Sequence, residues 1–391
     1  MKIEDEIKKN KGKSKSITNE KASLLSEPAL DYLSLKKQVS ITPLADPKKP
    51  AKALLLFNNN KVDVKENWLL KFDSQLLTIL LQDHSTKQNI IWATNNYSTY
   101  GAEYEFGAPI LPKLITGKNG NIIKPRVNKN KAEQQTRVRE KAEVFTPSWI
   151  CNAQNNLVDN AWFGRENVFN AETVKGWISN KEKIIFDETG DKTWQHYVYN
   201  NCLEVACGEA PYLVSRYDTI TGLAIPIEER IGLLDRKLRV VAENTSTKQD
   251  WFEWALIAFK RTYGFEWQGD NLMLARENML YTFIDYYQAK FEELPTVEHT
   301  RQIAEIISWN IWQMDGLKGV VPNTCKTIKS VKTDLFGSET ETIQKCKGCE
   351  KNDIKNHNGT YCIIKDWFYE NPETKEVGAE IRFVDMLKKQ P

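Results

Sequence analysis

Four cysteines toward the end of the chain, Cys325, Cys346, Cys349 and Cys362, have the type and spacing to hold a metal. Cys346 and Cys349 form a Cys-Lys-Gly-Cys knuckle, which sets two sulfurs on one edge of a tetrahedron; single cysteines on either side can close the site. His357 is an alternative ligand in place of Cys325 or Cys362. In a reducing compartment clustered thiols point to zinc rather than to disulfides. A closed four-ligand site is structural: it holds together a segment too poor in apolar residues to pack alone, and positions it for DNA or a partner subunit. The competing reading is free buried thiols. Cys151 and Cys202 lack metal spacing and read as core residues.

A second constellation is acidic. Glu204 lies in "LEVACGEAPYL", Glu266 closes "YGFE", and Asp315 closes "WNIWQMD" just before Gly316. If these apolar runs are parallel strands, all three acids reach one rim, because open α/β sheets bind ligands outside the carboxyl ends of their strands. Three such carboxylates suit a nucleoside. One orders an amine end, one accepts from ribose hydroxyls, and one accepts from an adenine amine. Gly208 lets the first turn approach a ligand closely. "APYLVSRY" is expected to open the next helix, whose free N–H groups favour an anion. The bland reading of Glu204 is a cap or an ion-pair partner.

These residues need elements to carry them. From about Tyr197 to Leu317, short apolar runs alternate with longer helical patterns, which predicts an α/β fold with a parallel, Rossmann-like sheet. Before it, Thr146 is expected to cap a helix with Pro147 at its first position. Trp251, Trp254, Trp309 and Trp312 fall in regular runs and read as core, whereas the aromatics of "IIWATNNYSTYGAEY" lie among turn residues and suit either base stacking or packing beneath a loop. The expected divisions are a basic, disordered tail over 1–50, a β-rich region over 51–131, the sheet domain over 132–320, and a Cys-rich, zinc-ribbon-like segment over 321–391.

The 391 residues are 41% hydrophobic and 27% charged with a net charge of +2, values of a globular chain that do not by themselves announce a nucleic-acid binder. Basic runs at the start and over Lys118 to Arg139 read as solvated surface or as phosphate contacts. No apolar run approaches the roughly 20 residues of a membrane span, and no secretory signal is evident, so the expected location is cytoplasmic, with no membrane partner. There is no P-loop, and His84, His196 and His299 have no adjoining nucleophile that would suggest a triad.

Taken in order, "EVFTPSWICN", "LEVACGEAPYL", "YGFEWQGDNLMLARENM" and "WNIWQMDGL" resemble the cofactor motifs of adenine-specific DNA methyltransferases of the gamma class, the modification subunits of restriction systems. The similarity spans roughly Glu143 to Leu317. It implies S-adenosylmethionine as cofactor and DNA as partner, in a restriction–modification or phage-defence setting with a restriction or specificity subunit. Phe145, Thr146 and Pro147 would then border the methionyl group, and Glu204, Cys207 and Gly208 would form the first cofactor loop. Glu266 would bind the ribose hydroxyls and Asp315 the adenine. Glu204 replaces the usual Asp of the family, and Ala210 replaces a usual Gly.

The family's catalytic loop, Asp/Asn-Pro-Pro-aromatic, accepts the hydrogens of a flipped-out adenine amine and stacks on the base. No such tetrapeptide follows Asp315. Asn371-Pro372 and Asp366-Trp367 are partial stand-ins, and the plain alternative is a hairpin with "ENPETKE" as its turn. The expected function is therefore a DNA adenine methyltransferase or its subunit. The alternative is a catalytically degenerate, methyltransferase-like protein that binds DNA or a partner. A methyltransferase for RNA or protein is a further possibility, since cofactor motifs do not identify the acceptor.

Overall fold

Leu69, Leu76, Leu77, Leu80 and Leu81 are all fully buried, and they decide the first elements. Helix α1 runs over Glu66–Phe72 and α2 over Leu76–Leu81. A β-rich region was the expectation here, but the described strands are two-residue pieces such as Gln82–Asp83 paired with Gln88–Asn89. The leucines of α2 recur at i, i+1, i+4 and i+5, which makes one buried stripe of a helix and would split across both faces of a strand. These observations come from a computed structural model that describes residues 57–58, 61–62, 66–141, 143, 146–187, 190–333, 339–372, 374–375 and 377–387. All lie in one compact unit, Lys52–Pro391. The expected tail over 1–50 and Phe145 fall outside the described residues.

Helix α3 (Lys131–Lys141) and α4 (Ser148–Phe163) follow, then a hairpin of β1 (Asn170–Thr173) and β2 (Gly176–Ser179), and α5 (Trp194–Tyr199). Thr146 does not cap α4. The Asp218 carboxylate accepts from the Ser148 N–H at 3.2 Å, while Thr146 offers its carbonyl to the Thr219 hydroxyl at 2.8 Å.

The sheet comes next. Strand β3 (Cys202–Val205) leads through α6 (Leu233–Asn244) and α7 (Lys248–Lys260) to β4 (Thr262–Glu266). Helices α8 (Gly269–Phe291) and α9 (Val297–Asn310) then lead to β5 (Ile311–Gln313). The strands are parallel in the order β3-β4-β5, so the fold is mixed α/β around a three-stranded parallel sheet. The register places Leu203 beside Tyr263, and Val205 beside Phe265 and Trp312, on one face; Glu204, Gly264 and Ile311 share the other. Helix α8 is buried over eighteen of its 23 residues, as befits a helix packed on all sides. Its Arg276 donates to the carbonyls of Ile311, Leu80, Gln82 and Ser308, tying β5, α2 and α9 together.

The helix expected from "APYLVSRY" is absent. Leu213 and Val214 N–H both return to the Ala210 carbonyl, making one turn, and the chain then loops out to start α6 only at Leu233. The carboxylate of Glu204 takes the N–H groups of Tyr212 and Leu213 at 3.4 and 3.3 Å, so this turn is held from below.

The C-terminal part forms two hairpins, β6 (Ile328–Thr333) with β7 (Glu339–Gln344) and β8 (Ile363–Glu370) with β9 (Val377–Arg382). It packs on the sheet: Phe265, Trp312 and Met314 share a second core with Val321, Cys362 and Ile364, flanked by Tyr263, Ile381 and Phe383. Trp251, Trp309 and Trp312 are buried, as expected of core tryptophans, and Trp254 packs partly buried against the main core. Among the described residues, no helix is long and apolar enough to cross a membrane.

Candidate functional site

At the carboxyl ends of β3, β4 and β5 lies a cleft of about 690 Å³, and Glu204, Glu266 and Asp315 all line it. Thr146, Cys207 and Gly208 line it too. Pro147 stands next to Thr146 at the entry to α4. The four residues Asp366, Trp367, Asn371 and Pro372 are not among the cleft's lining residues. Asp366 and Trp367 sit within β8, where the Trp367 indole N–H donates to the Asn310 side-chain oxygen at 2.8 Å. Asn371 and Pro372 lie in the β8–β9 turn, the plain hairpin reading.

The loop after β3 is bent by its backbone. Ala206, Gly208 and Ala210 all have positive φ, +52°, +55° and +62°. Two alanines in the left-handed region are strained, a condition that persists only where the surroundings enforce it. Here they do. The Gly208 N–H donates to Glu266 Oε2 at 2.9 Å, the Cys207 N–H to the Phe265 carbonyl at 2.9 Å, and the Ala210 N–H to the Cys207 carbonyl at 2.7 Å. Gln268 N–H takes the other oxygen of Glu266 at 3.1 Å. Asp315 pairs with Lys318 at 3.1 Å and accepts from the Leu317 N–H at 3.1 Å.

The electrostatics follow from burial. Burial pushes the Glu204 carboxyl well above its usual range, against the pull of the Tyr212 and Leu213 N–H groups, and nearby Glu266 adds to the rise. Burial also raises Glu266, opposed by the N–H groups of Gln268, Gly208 and Trp267. Two carboxyls of raised affinity for protons in one cleft are a common mark of a binding site.

One wall escaped the sequence reading. Glu143, Gln268 and Asn271 line the cleft, and Gln268 and Asn271 donate to Glu143 Oε2 at 3.1 and 3.2 Å. Behind them Arg137 bridges Glu143 at 2.6 Å and Asp270 at 2.8 Å, and Asp270 also meets Lys129 and Tyr97. Burial disfavours the Asp270 carboxylate, but Arg137 and Lys129 outweigh it and hold its pKa far below the usual value. Glu143, Gln268, Asp270 and Asn271 fall inside the stretches quoted for the resemblance, but nothing in their spacing shows that they meet, because the wall is assembled from α3, the segment before α4 and the start of α8.

The second site is a cluster of three cysteines and a histidine. The ligand atoms of Cys325, Cys346, Cys349 and His357 all lie within 4.8 Å of one another. His357 Nδ1 is 3.5, 3.5 and 3.6 Å from the sulfurs of Cys325, Cys346 and Cys349. Zinc–sulfur and zinc–nitrogen bonds at tetrahedral angles give a sulfur–nitrogen edge of ~3.6 Å, so this cluster could hold a metal ion such as zinc. Cys362, expected among the ligands, is not one of them. Its thiol is fully buried in the second core and faces the Gln313 carbonyl at 3.3 Å, and His357 takes the fourth place. Gly348 of the knuckle makes room: a Cβ there would lie 2.6 Å from His357 Nδ1. Asn358 fixes the Cys325 arm by exchanging two hydrogen bonds with Lys326, at 3.0 and 2.8 Å, and its N–H reaches the Cys346 sulfur at 3.3 Å.

The two sites touch through one turn. Val320 bridges Asp315 on one side and Tyr361 on the other, and the Cys362 N–H donates to the Gly319 carbonyl at 3.0 Å. Compared with family profiles, curated proteins and solved structures, the chain matches none.

Proposed function

We propose that the cleft binds S-adenosylmethionine and that the chain is a DNA adenine methyltransferase, or the cofactor-binding subunit of one, built on a Rossmann-like methyltransferase sheet and acting in a restriction–modification or phage-defence system. The observation that carries this reading is the convergence of Glu204, Glu266 and Asp315, from three successive strand ends, on one cleft. Glu266 spends one lone pair of each oxygen on loop N–H groups, and a carboxylate has about four such sites, which leaves acceptors for a ribose diol. Asp315, just past the carboxyl end of β5, stands to receive an adenine amine. Glu204 supports the far end of the loop from beneath by accepting from the Tyr212 and Leu213 N–H groups. Thr146 borders the space left for the methionyl end.

The Cys325, Cys346, Cys349 and His357 cluster is read as structural zinc, whose chemistry there is to crosslink chain segments. Isothermal calorimetry with S-adenosylmethionine tests the reading, with Glu266→Ala and Asp315→Ala as controls. Saturable binding weakened at least tenfold in both variants is expected; heat that is absent, or unchanged in both, would overturn it.

A second reading is favoured by the position of the stand-in catalytic residues, none of which lines the cleft. In it the chain binds cofactor, DNA or a partner without transferring methyl groups by itself. Transfer of a labelled methyl group to DNA by the isolated chain separates the two.

A further inference from the structure

Helix α3 faces two ways. Its buried Arg137 points inward, to Glu143 of the cleft wall and to Asp270. Lys131, Gln134, Gln135, Val138 and Arg139 recur at i, i+3, i+4, i+7 and i+8, which puts them on one other face of the helix. With Arg126 they line an outer groove of about 490 Å³. Three of these six residues are cationic, two carry amides, one is aliphatic and none is acidic. Lys131, Gln135, Val138 and Arg139 are exposed, and Lys131 and Arg139 have no ion-pair partner among the described residues. A merely solvated face mixes charges of both signs; this one carries a single sign. The groove is also held in shape. The Gln134 amide donates to the carbonyls of Arg126 and Lys129 at 3.0 and 2.8 Å, fixing the Arg126 turn against α3. The Arg126 N–H in turn donates at 2.7 Å to Glu209, which lines the cleft.

We propose that this groove seats the sugar–phosphate backbone of duplex DNA, with Arg126, Lys131 and Arg139 against successive phosphates and Gln135 as a neutral donor among them. Arginine, lysine and glutamine side chains are the kinds that contact phosphate oxygens. Their spread decides against a small anion. Lys131 and Arg139 stand about 12 Å apart along the helix axis, whereas a nucleic-acid strand repeats its phosphate about every 3.4 Å of axis. No aromatic side chain lines the groove, so the bases of a single strand find no stacking platform there. A polypeptide fits poorly as well, because the centre of a protein interface is apolar and aromatic, and Val138 is the one apolar side chain in the lining. Residues 1–56 of this chain carry twelve lysines against seven acids, the same sign as the groove, so they are not its occupant either. The choice of DNA over RNA rests on the methyltransferase reading; the seating of a phosphate backbone does not.

The test is the salt dependence with which the full chain binds a fluorescently labelled, mixed-sequence DNA duplex, read by anisotropy. Each phosphate contact contributes about 0.9 to the slope of log affinity against log salt. Lys131→Gln combined with Arg139→Gln should therefore flatten the slope by about 1.8 and weaken binding at least tenfold at ~0.1 M salt. Gln135→Lys should steepen the slope by about 0.9 and tighten binding, a gain that misfolding cannot produce. Lys181→Gln combined with Lys183→Gln, two exposed lysines outside the groove, should leave the slope as it is. The lysines of residues 1–56 are common to all these proteins and drop out of the differences. No binding of the duplex, equal slopes in the groove and control pairs, affinity lost at constant slope, or tighter binding of duplex RNA or of the single strand overturns the inference. Calorimetry with S-adenosylmethionine, without DNA, is read separately. The expected slopes with no cofactor heat leave the groove standing and fell the cofactor reading; cofactor heat with unchanged slopes does the opposite.

Discussion

The backbone N–H of Gly208 donates to the carboxylate of Glu266 at 2.9 Å, joining the loop after β3 to the end of β4. One acid thus shapes the loop and faces the cleft at once. Glu266→Ala should lose both roles, freeing the loop and, under the proposed cofactor reading, weakening S-adenosylmethionine at least tenfold. Glu266→Gln keeps an acceptor for one of the two N–H groups and sets an NH₂ against the other, so its affinity should fall between wild type and alanine. Calorimetry on the three proteins gives the order.

Ala210 has φ +62° and is fully buried. A glycine relieves ~1–2 kcal/mol of left-handed strain. It forfeits ~0.5–1 kcal/mol of chain entropy and about 0.8 kcal/mol of methyl burial. These nearly cancel, so Ala210→Gly should lie within about 1 kcal/mol of wild type. A β-branched residue is far worse at positive φ, and Ala210→Val should cost more than about 2 kcal/mol. Urea unfolding of both variants checks the pair.

The metal assignment separates two otherwise similar cysteines. One zinc per chain is expected by elemental analysis. His357→Ala and Cys349→Ser should lose it, and Cys362→Ser should retain it while losing about 1–2 kcal/mol from a hydroxyl placed in an apolar core. Metal lost in Cys362→Ser and kept in His357→Ala would reverse the assignment.

Arg276 is wholly buried and answered by carbonyl oxygens from three elements. Burial brings its pKa down to about 10, so it stays charged near neutrality. Arg276→Met leaves those carbonyls without their donor, and a loss of about 3–5 kcal/mol is expected. A melting temperature within a few degrees of wild type would contradict this account.

His84 stacks on Trp309 at 3.7 Å and meets the Ser308 hydroxyl at 2.8 Å. Burial, with help from Arg276, Lys87 and Lys365, depresses its pKa to about 3. The unfolded chain therefore binds a proton below pH ~6.5 that the folded chain refuses, and stability falls as pH drops from there toward the folded value. The slope for one such group is at most about 1.4 kcal/mol per pH unit. Subtracting the pH profile of His84→Gln from that of wild type should isolate this component, whatever the buried acids contribute.

The strand ends were legible because each is an apolar run with an acid within two residues of its end, a pattern that survives without knowledge of neighbours. The Cys346–Cys349 knuckle was legible for the same reason, being local. The choice between His357 and Cys362 was not, since spacing allows both and only the packing of Cys362 behind Gln313 removes it. The leucine-rich stretch at 76–81 misled because short apolar runs fit helix and strand alike. The missing helix after Ala210 and the cap of α4 turned on Glu204 and Asp218, whose side chains reach backbone 8–9 and 70 residues away in sequence.

The turn from Asp315 to Val320 is clasped from both sides, by the cleft's third acid and by the strand that leaves His357. Groups that share such a clasp are not independent variables. Substitutions in the sulfur–imidazole knot and at Asp315 should therefore fail to add in a double-mutant cycle, and their non-additivity would measure how stiff that shared hinge is.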